Sequence, residues 1–82
     1  MTKIKTATGK EYDSDYFVEH APSKSLYFRV VCASGEEVRK VFADSEETQV
    51  LEYNGKKYEG FTKLKNVDDD GDGFWKLRLT HG

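Results

Sequence analysis

The chain has 82 residues, a formal net charge of −2 and 34% charged residues. That length holds one domain and buries only roughly 60% of its unfolded surface, leaving little room for both a core and a shielded catalytic pocket. The near-neutral charge excludes a strongly basic nucleic-acid binder, although a local patch can hide behind a balanced sum.

Thr2 to Thr6 reads as a short strand centred on Ile4, followed by a turn at Ala7-Thr8-Gly9-Lys10. A second strand is expected from Glu11 to His20, with a bulge or bend at Asp13-Ser14-Asp15. Ala21-Pro22-Ser23-Lys24 is a loop, because proline has no N–H to give to a ladder. Ser25 to Ala33 then places Leu26, Phe28, Val30 and Cys32 on one face at period two. Its other face, Tyr27, Arg29, Val31 and Ala33, is only partly polar, so the strand is expected to be central.

The period changes after Ser34. Ser34-Gly35-Glu36-Glu37 has capping-box spacing, and Val38, Val41 and Phe42 share one helical face. These features predict a helix over residues 35–44. Asn54-Gly55 between β-prone runs predicts a type I′ hairpin. That turn pairs Tyr53 with Lys56, Glu52 with Lys57, Leu51 with Tyr58 and Val50 with Glu59. Gly60 is expected at a bulge, Asp68 to Gly73 at a turn, and Phe74 to His81 in a closing strand. Together these elements predict an α+β, mostly β fold: one antiparallel sheet of five to six strands with one short helix packed on it.

Three constellations could carry chemistry. Asp68, Asp70, Asp72 and Gly73 match the opening of a calcium loop, but Leu79 stands where the bidentate glutamate belongs. A solvated turn is the favoured reading, so no metal is expected; a weakly held hard cation is the alternative. Lys57, Lys63, Lys65, Lys76 and Arg78, with Tyr27 as a stacking surface, form a candidate interaction face. Tyr12, Tyr16, Tyr27, Tyr53 and Tyr58 are an inventory for protein contacts. No nucleophile elbow, Gly-rich phosphate loop or metalloprotease motif occurs, so neither enzyme activity nor a cofactor is expected.

Cys32, the one cysteine, is expected to be a buried, inert thiol. The first residues lack a signal-peptide apolar region, and no window approaches the roughly 18 apolar residues of a membrane span. A reducing, cytoplasmic location is therefore the expectation.

A further signal lies in the order of features: Gly9-Lys10-Glu11-Tyr12, Leu26-Tyr27-Phe28, Val41-Phe42-Ala43-Asp44 and Glu47-Thr48. It continues through Leu51-x-Tyr53-x-Gly55-x-x-Tyr58-x-Gly60-Phe61-Thr62-x-Leu64 and Trp75-Lys76-Leu77-Arg78-Leu79. This order resembles small proteins encoded in phage and prophage genomes of Gram-positive bacteria. The resemblance implies a genomic context, in host cytoplasm or virion, and transfers no functional residue. The expected role is a non-enzymatic interaction or assembly module that binds a protein partner or itself. A small single-strand or RNA-binding module is the alternative.

Overall fold

The computed structural model describes residues 2–82. The strands are β1 (Thr2–Lys5), β2 (Glu11–Ser14), β3 (Tyr16–His20), β4 (Ser25–Val31), β5 (Val50–Tyr53), β6 (Lys56–Glu59), β7 (Lys63–Gly71) and β8 (Phe74–Thr80). One helix, α1 (Gly35–Phe42), lies between β4 and β5. The strands form two antiparallel four-stranded sheets, ordered β2-β1-β5-β6 and β3-β4-β8-β7.

The mostly β character and the single helix agree with the sequence reading; the single sheet does not. The difference arises at Ser14-Asp15. Ser14 is fully buried, and its hydroxyl donates to the Tyr16 carbonyl at 3.0 Å. The chain bends there, so the expected second strand becomes β2 in the first sheet and β3 in the second. A corner of this kind lets one segment serve two packed sheets.

The core lies between the sheets. Ile4 and Leu51 come from the first sheet, and Leu26, Phe28, Val30, Leu77 and Leu79 from the second. Val38, Val41 and Phe42 of α1 close one side. Aromatic rings span the interior: Phe17 stacks on Tyr53 at 4.5 Å and on Phe28 at 5.3 Å, and Phe28 meets Phe42 edge-on at 5.6 Å. Tyr12, Tyr53 and Tyr58 pack against this core, which removes three of the five tyrosines from the interface inventory.

Local chemistry fixes the helix ends. Ser34 Oγ accepts from Glu37 N at 3.2 Å, and Glu37 Oε2 accepts from Ala33 N at 3.1 Å. The cap is therefore reciprocal, but its return bond reaches one residue before Ser34. The helix stops at Phe42, two residues short of the expected end, because Asp44 adopts φ +49° and donates its N–H to Thr62 O at 2.7 Å. Gly35 allows close packing at the other end: a Cβ there would lie 2.9 Å from the Trp75 ring.

The Asn54-Gly55 hairpin has positive φ at both positions and the expected register, including Glu52 opposite Lys57. The second hairpin differs from expectation. Its turn is only Asp72-Gly73, and Asp68 to Gly71 continue β7 as strand. Asp68 lies opposite Lys76 and Asp69 opposite Trp75, so the aspartates join a ladder in place of a ligand loop. An Asp-Gly pair closes such a hairpin by itself, since both residues tolerate positive φ. The ladder is irregular between Leu64 and Asn66 and between Asp69 and Gly71.

Candidate interaction face

The outer faces of the two sheets are built differently. On the first sheet the register lines up Glu11, Lys5, Glu52 and Lys57 across four strands, with signs alternating. Lys3 adds an ion pair to Asp13 at 2.6 Å. In the row of four, each charge stands opposite one of the other sign, although Lys3–Asp13 alone of these pairs comes within ion-pair distance among the described residues.

The second sheet presents two rows of another kind. One runs Val18, Tyr27, Arg78, Asn66, and the other Tyr16, Arg29, Lys76, Asp68. Phe74 and Val31 pair beside them. Tyr16 is 40% exposed and Val18 43%, the exposed large hydrophobics among the described residues. Both sit on β3, an edge strand with a free side.

Two arginines share this face with different surroundings. The Arg29 guanidinium lies over the Phe74 ring at 4.3 Å. Its Nη1 reaches Asp70 Oδ2 at 3.1 Å, and its Nε lies 3.2 Å from Asp15 Oδ1. The latter contact is off the N–H direction, so it is electrostatic rather than a hydrogen bond. Arg78 lies 5.6 Å from the centre of the Tyr27 ring. Its Nε is buried without a hydrogen-bond partner, and no carboxylate lies within ion-pair distance of it among the described residues. Lys76 is likewise outside every ion pair among these residues. A hollow of about 160 Å³ opens between Tyr27, Asn66, Asp68, Lys76, Leu77 and Arg78.

The structure thus brings together three of the six sequence-derived face residues: Tyr27, Lys76 and Arg78. Lys57 belongs to the outer face of the first sheet, opposite Glu52. Lys63 pairs with Asp44 at 3.1 Å, away from the hollow. Lys65 falls at the β7 irregularity and lines a shallow cleft with Arg39 and Ala43. The aspartates are separated too: Asp70 pairs with Arg29, Asp68 borders the hollow, and Asp72 is in the turn. No group of three or more metal-binding side chains converges among the described residues.

Sequence reasoning missed Tyr16, Val18 and Arg29 as one patch, because their alignment depends on β3 pairing with β4. It also missed Glu47. This side chain is buried and accepts hydrogen bonds from Thr6 Oγ1 at 3.1 Å and from Thr8 Oγ1. Lys10 Nζ stands 3.7 Å away, and the Glu47 carbonyl accepts from Ala7 N at 3.0 Å. Glu47 therefore ties the turn after β1 to the single helical turn Glu46–Thr48. A cleft of about 390 Å³ beside it holds Lys40, Ser45 and Glu37, but its buried carboxylate already has its partners.

Burial pushes the Cys32 thiol up to about 12, with Glu37 adding to the effect, so it is protonated and unreactive near neutrality. No helix among the described residues is long and apolar enough to cross a membrane. In comparisons with known proteins, the chain matches no family model, no curated protein and no solved structure.

Proposed function

We propose that this chain is a non-enzymatic protein-interaction or assembly module that docks its partner on the outer face of the second sheet. The observation that carries this reading is the alignment of exposed Tyr16 and Val18 with Tyr27, Arg29 and Arg78 in two adjacent cross-strand rows. Tyrosine and arginine dominate the energetics of protein contacts because each combines a wide apolar surface with a polar end. The free edge of β3 offers backbone groups beside those side chains. The resemblance to phage and prophage proteins fits an accessory or minor virion role.

A single-strand or RNA-binding role draws support from Tyr27, Lys76 and Arg78 alone. Asp15, Asp68 and Asp70 stand among these cations and lower the potential that phosphates would meet. A labelled-oligonucleotide titration at low salt separates the two, with no binding expected.

The main reading is tested by quantitative affinity capture with paired variants. Proteins retained by the wild-type chain should be lost with Val18→Asp and kept with Glu52→Gln, which alters the opposite face. Self-association is read in parallel by light scattering. Equal retention by both variants, with the same monomer mass throughout, would overturn the reading.

A further inference from the structure

We infer that the hollow between Tyr27, Asn66, Lys76 and Arg78 receives a carboxylate side chain from the docked protein, so the partner presents an Asp or Glu to this face. The inference rests on the proposed docking reading and adds the partner's chemistry to it. Charge complementarity carries it.

Arg29 and Arg78 project from the same face of adjacent strands. Arg29 has two carboxylates of its own chain, Asp15 and Asp70. Arg78 has none among the described residues, and that missing counter-charge separates the two, since the Nε of each is buried without a hydrogen-bond acceptor. A guanidinium with no carboxylate of its own chain lacks a counter-charge, and an entering carboxylate supplies it. Guanidinium and carboxylate match in shape and bond in pairs, which makes Arg78 the selective element. Lys76 adds a second cation and the Asn66 side chain a neutral donor at the rim. The Tyr27 ring forms an apolar wall against which the methylenes of an acidic side chain can lie.

The charge of the lining selects the kind of anion. Lys76 and Arg78 contribute two positive charges, and Asp68 on the same rim removes one. A single residual positive charge suits a carboxylate, which is singly charged, better than a phosphomonoester, which carries about 1.5 to 2 charges at neutral pH. The small volume, about 160 Å³, likewise suits one side chain rather than a nucleotide.

The test is an NMR titration of the labelled full chain with the capped peptide acetyl-Glu-Glu-Glu-amide. Acetyl-Gln-Gln-Gln-amide and inorganic phosphate serve as comparisons. The expected result is a saturable shift of the Arg78 Nε–H, the Asn66 side-chain amide and the Lys76 backbone amide with the acidic peptide alone. Arg78→Gln should weaken the response at least tenfold, and Lys76→Gln a few-fold. Lys76→Gln decides the matter if Arg78→Gln does not fold. Lys57→Gln should leave the response unchanged. Equal shifts with the glutamine peptide, an equal response to phosphate, or shifts that follow Lys57 would overturn the inference. If partner capture is lost with Val18→Asp while Arg78 ignores the acidic peptide, the docking reading stands and the carboxylate hollow falls.

Discussion

The two sheets of this chain pack on one core, yet their outer faces solve the problem of an exposed sheet in opposite ways. The first sheet alternates charges along the row Glu11, Lys5, Glu52, Lys57, so each group stands opposite a charge of the other sign. The second sheet interleaves Tyr16, Val18, Tyr27 and Phe74 with two arginines, of which Arg78 has no carboxylate within ion-pair distance among the described residues. A face of alternating charge and little apolar surface gains little from a partner, because desolvating it costs what new pairs return. An unmatched face with wide aromatic surface gains more. The contrast is what favours the second sheet as the proposed docking side.

The largest effect should come from breaking what both faces share. Phe28 sits between Phe17 and Phe42 beneath the second sheet. Phe28→Ala should cost about 3–5 kcal/mol, measured by chemical denaturation, and leave the two sheets unable to pack. In a domain of this size such a loss approaches the whole stability.

Next comes the difference between the arginines. Arg29→Ala removes a stacked cation and two ion pairs, so it should destabilise by about 1–2 kcal/mol. Arg78→Ala should cost less than about 1 kcal/mol, since only the Tyr27 contact is lost and an unpaired donor goes with it. Equal costs would mean that Arg78 is matched after all.

The charge row gives a smaller signal. A double-mutant cycle with Glu52→Gln and Lys57→Gln should return a coupling of about 0.2–1 kcal/mol, shrinking with added salt. A null result at low salt would undo the description of this face as internally matched.

The smallest effect concerns pH. The Lys3 ammonium donates a hydrogen bond to Asp13 and holds its carboxyl below the ordinary 3.8. A lowered folded-state value favours the fold above the ordinary range, and this contribution is lost as pH falls through the lowered value. The Asp13 midpoint by NMR should therefore lie below 3.8 and return towards it in Lys3→Met.

What the sequence made legible follows from range. The Asn54-Gly55 turn fixes its own register from two residues, so the Glu52–Lys57 pairing could be read directly. Ser34 and Glu37 cap a helix through contacts no more than four residues apart. The division into two sheets could not be read this way. It hangs on one buried serine, Ser14, that turns the chain between β2 and β3, and on strand pairings far apart in sequence. The aspartates from Asp68 to Asp70 look like a loop because aspartate disfavours strands. Asp68 and Asp69 pair in the ladder opposite Lys76 and Trp75, and Asp70 is held by Arg29 across the face. Half of the proposed interaction face was visible for the same reason: alternation along β8 sets Lys76 and Arg78 outward. Tyr16 and Val18 join them only once β3 is known to lie beside β4.

The most direct measurement is site-specific photocrosslinking from the two faces. A photoreactive residue at position 18, and in a second sample at position 52, is activated in the presence of cell extract. Adducts are mapped by mass spectrometry. The difference between the faces requires a discrete protein adduct from position 18, joined to a segment containing Asp or Glu, and only background from position 52. Equal labelling from both positions, or a discrete adduct from position 52 alone, would contradict the assignment of the second sheet as the docking side.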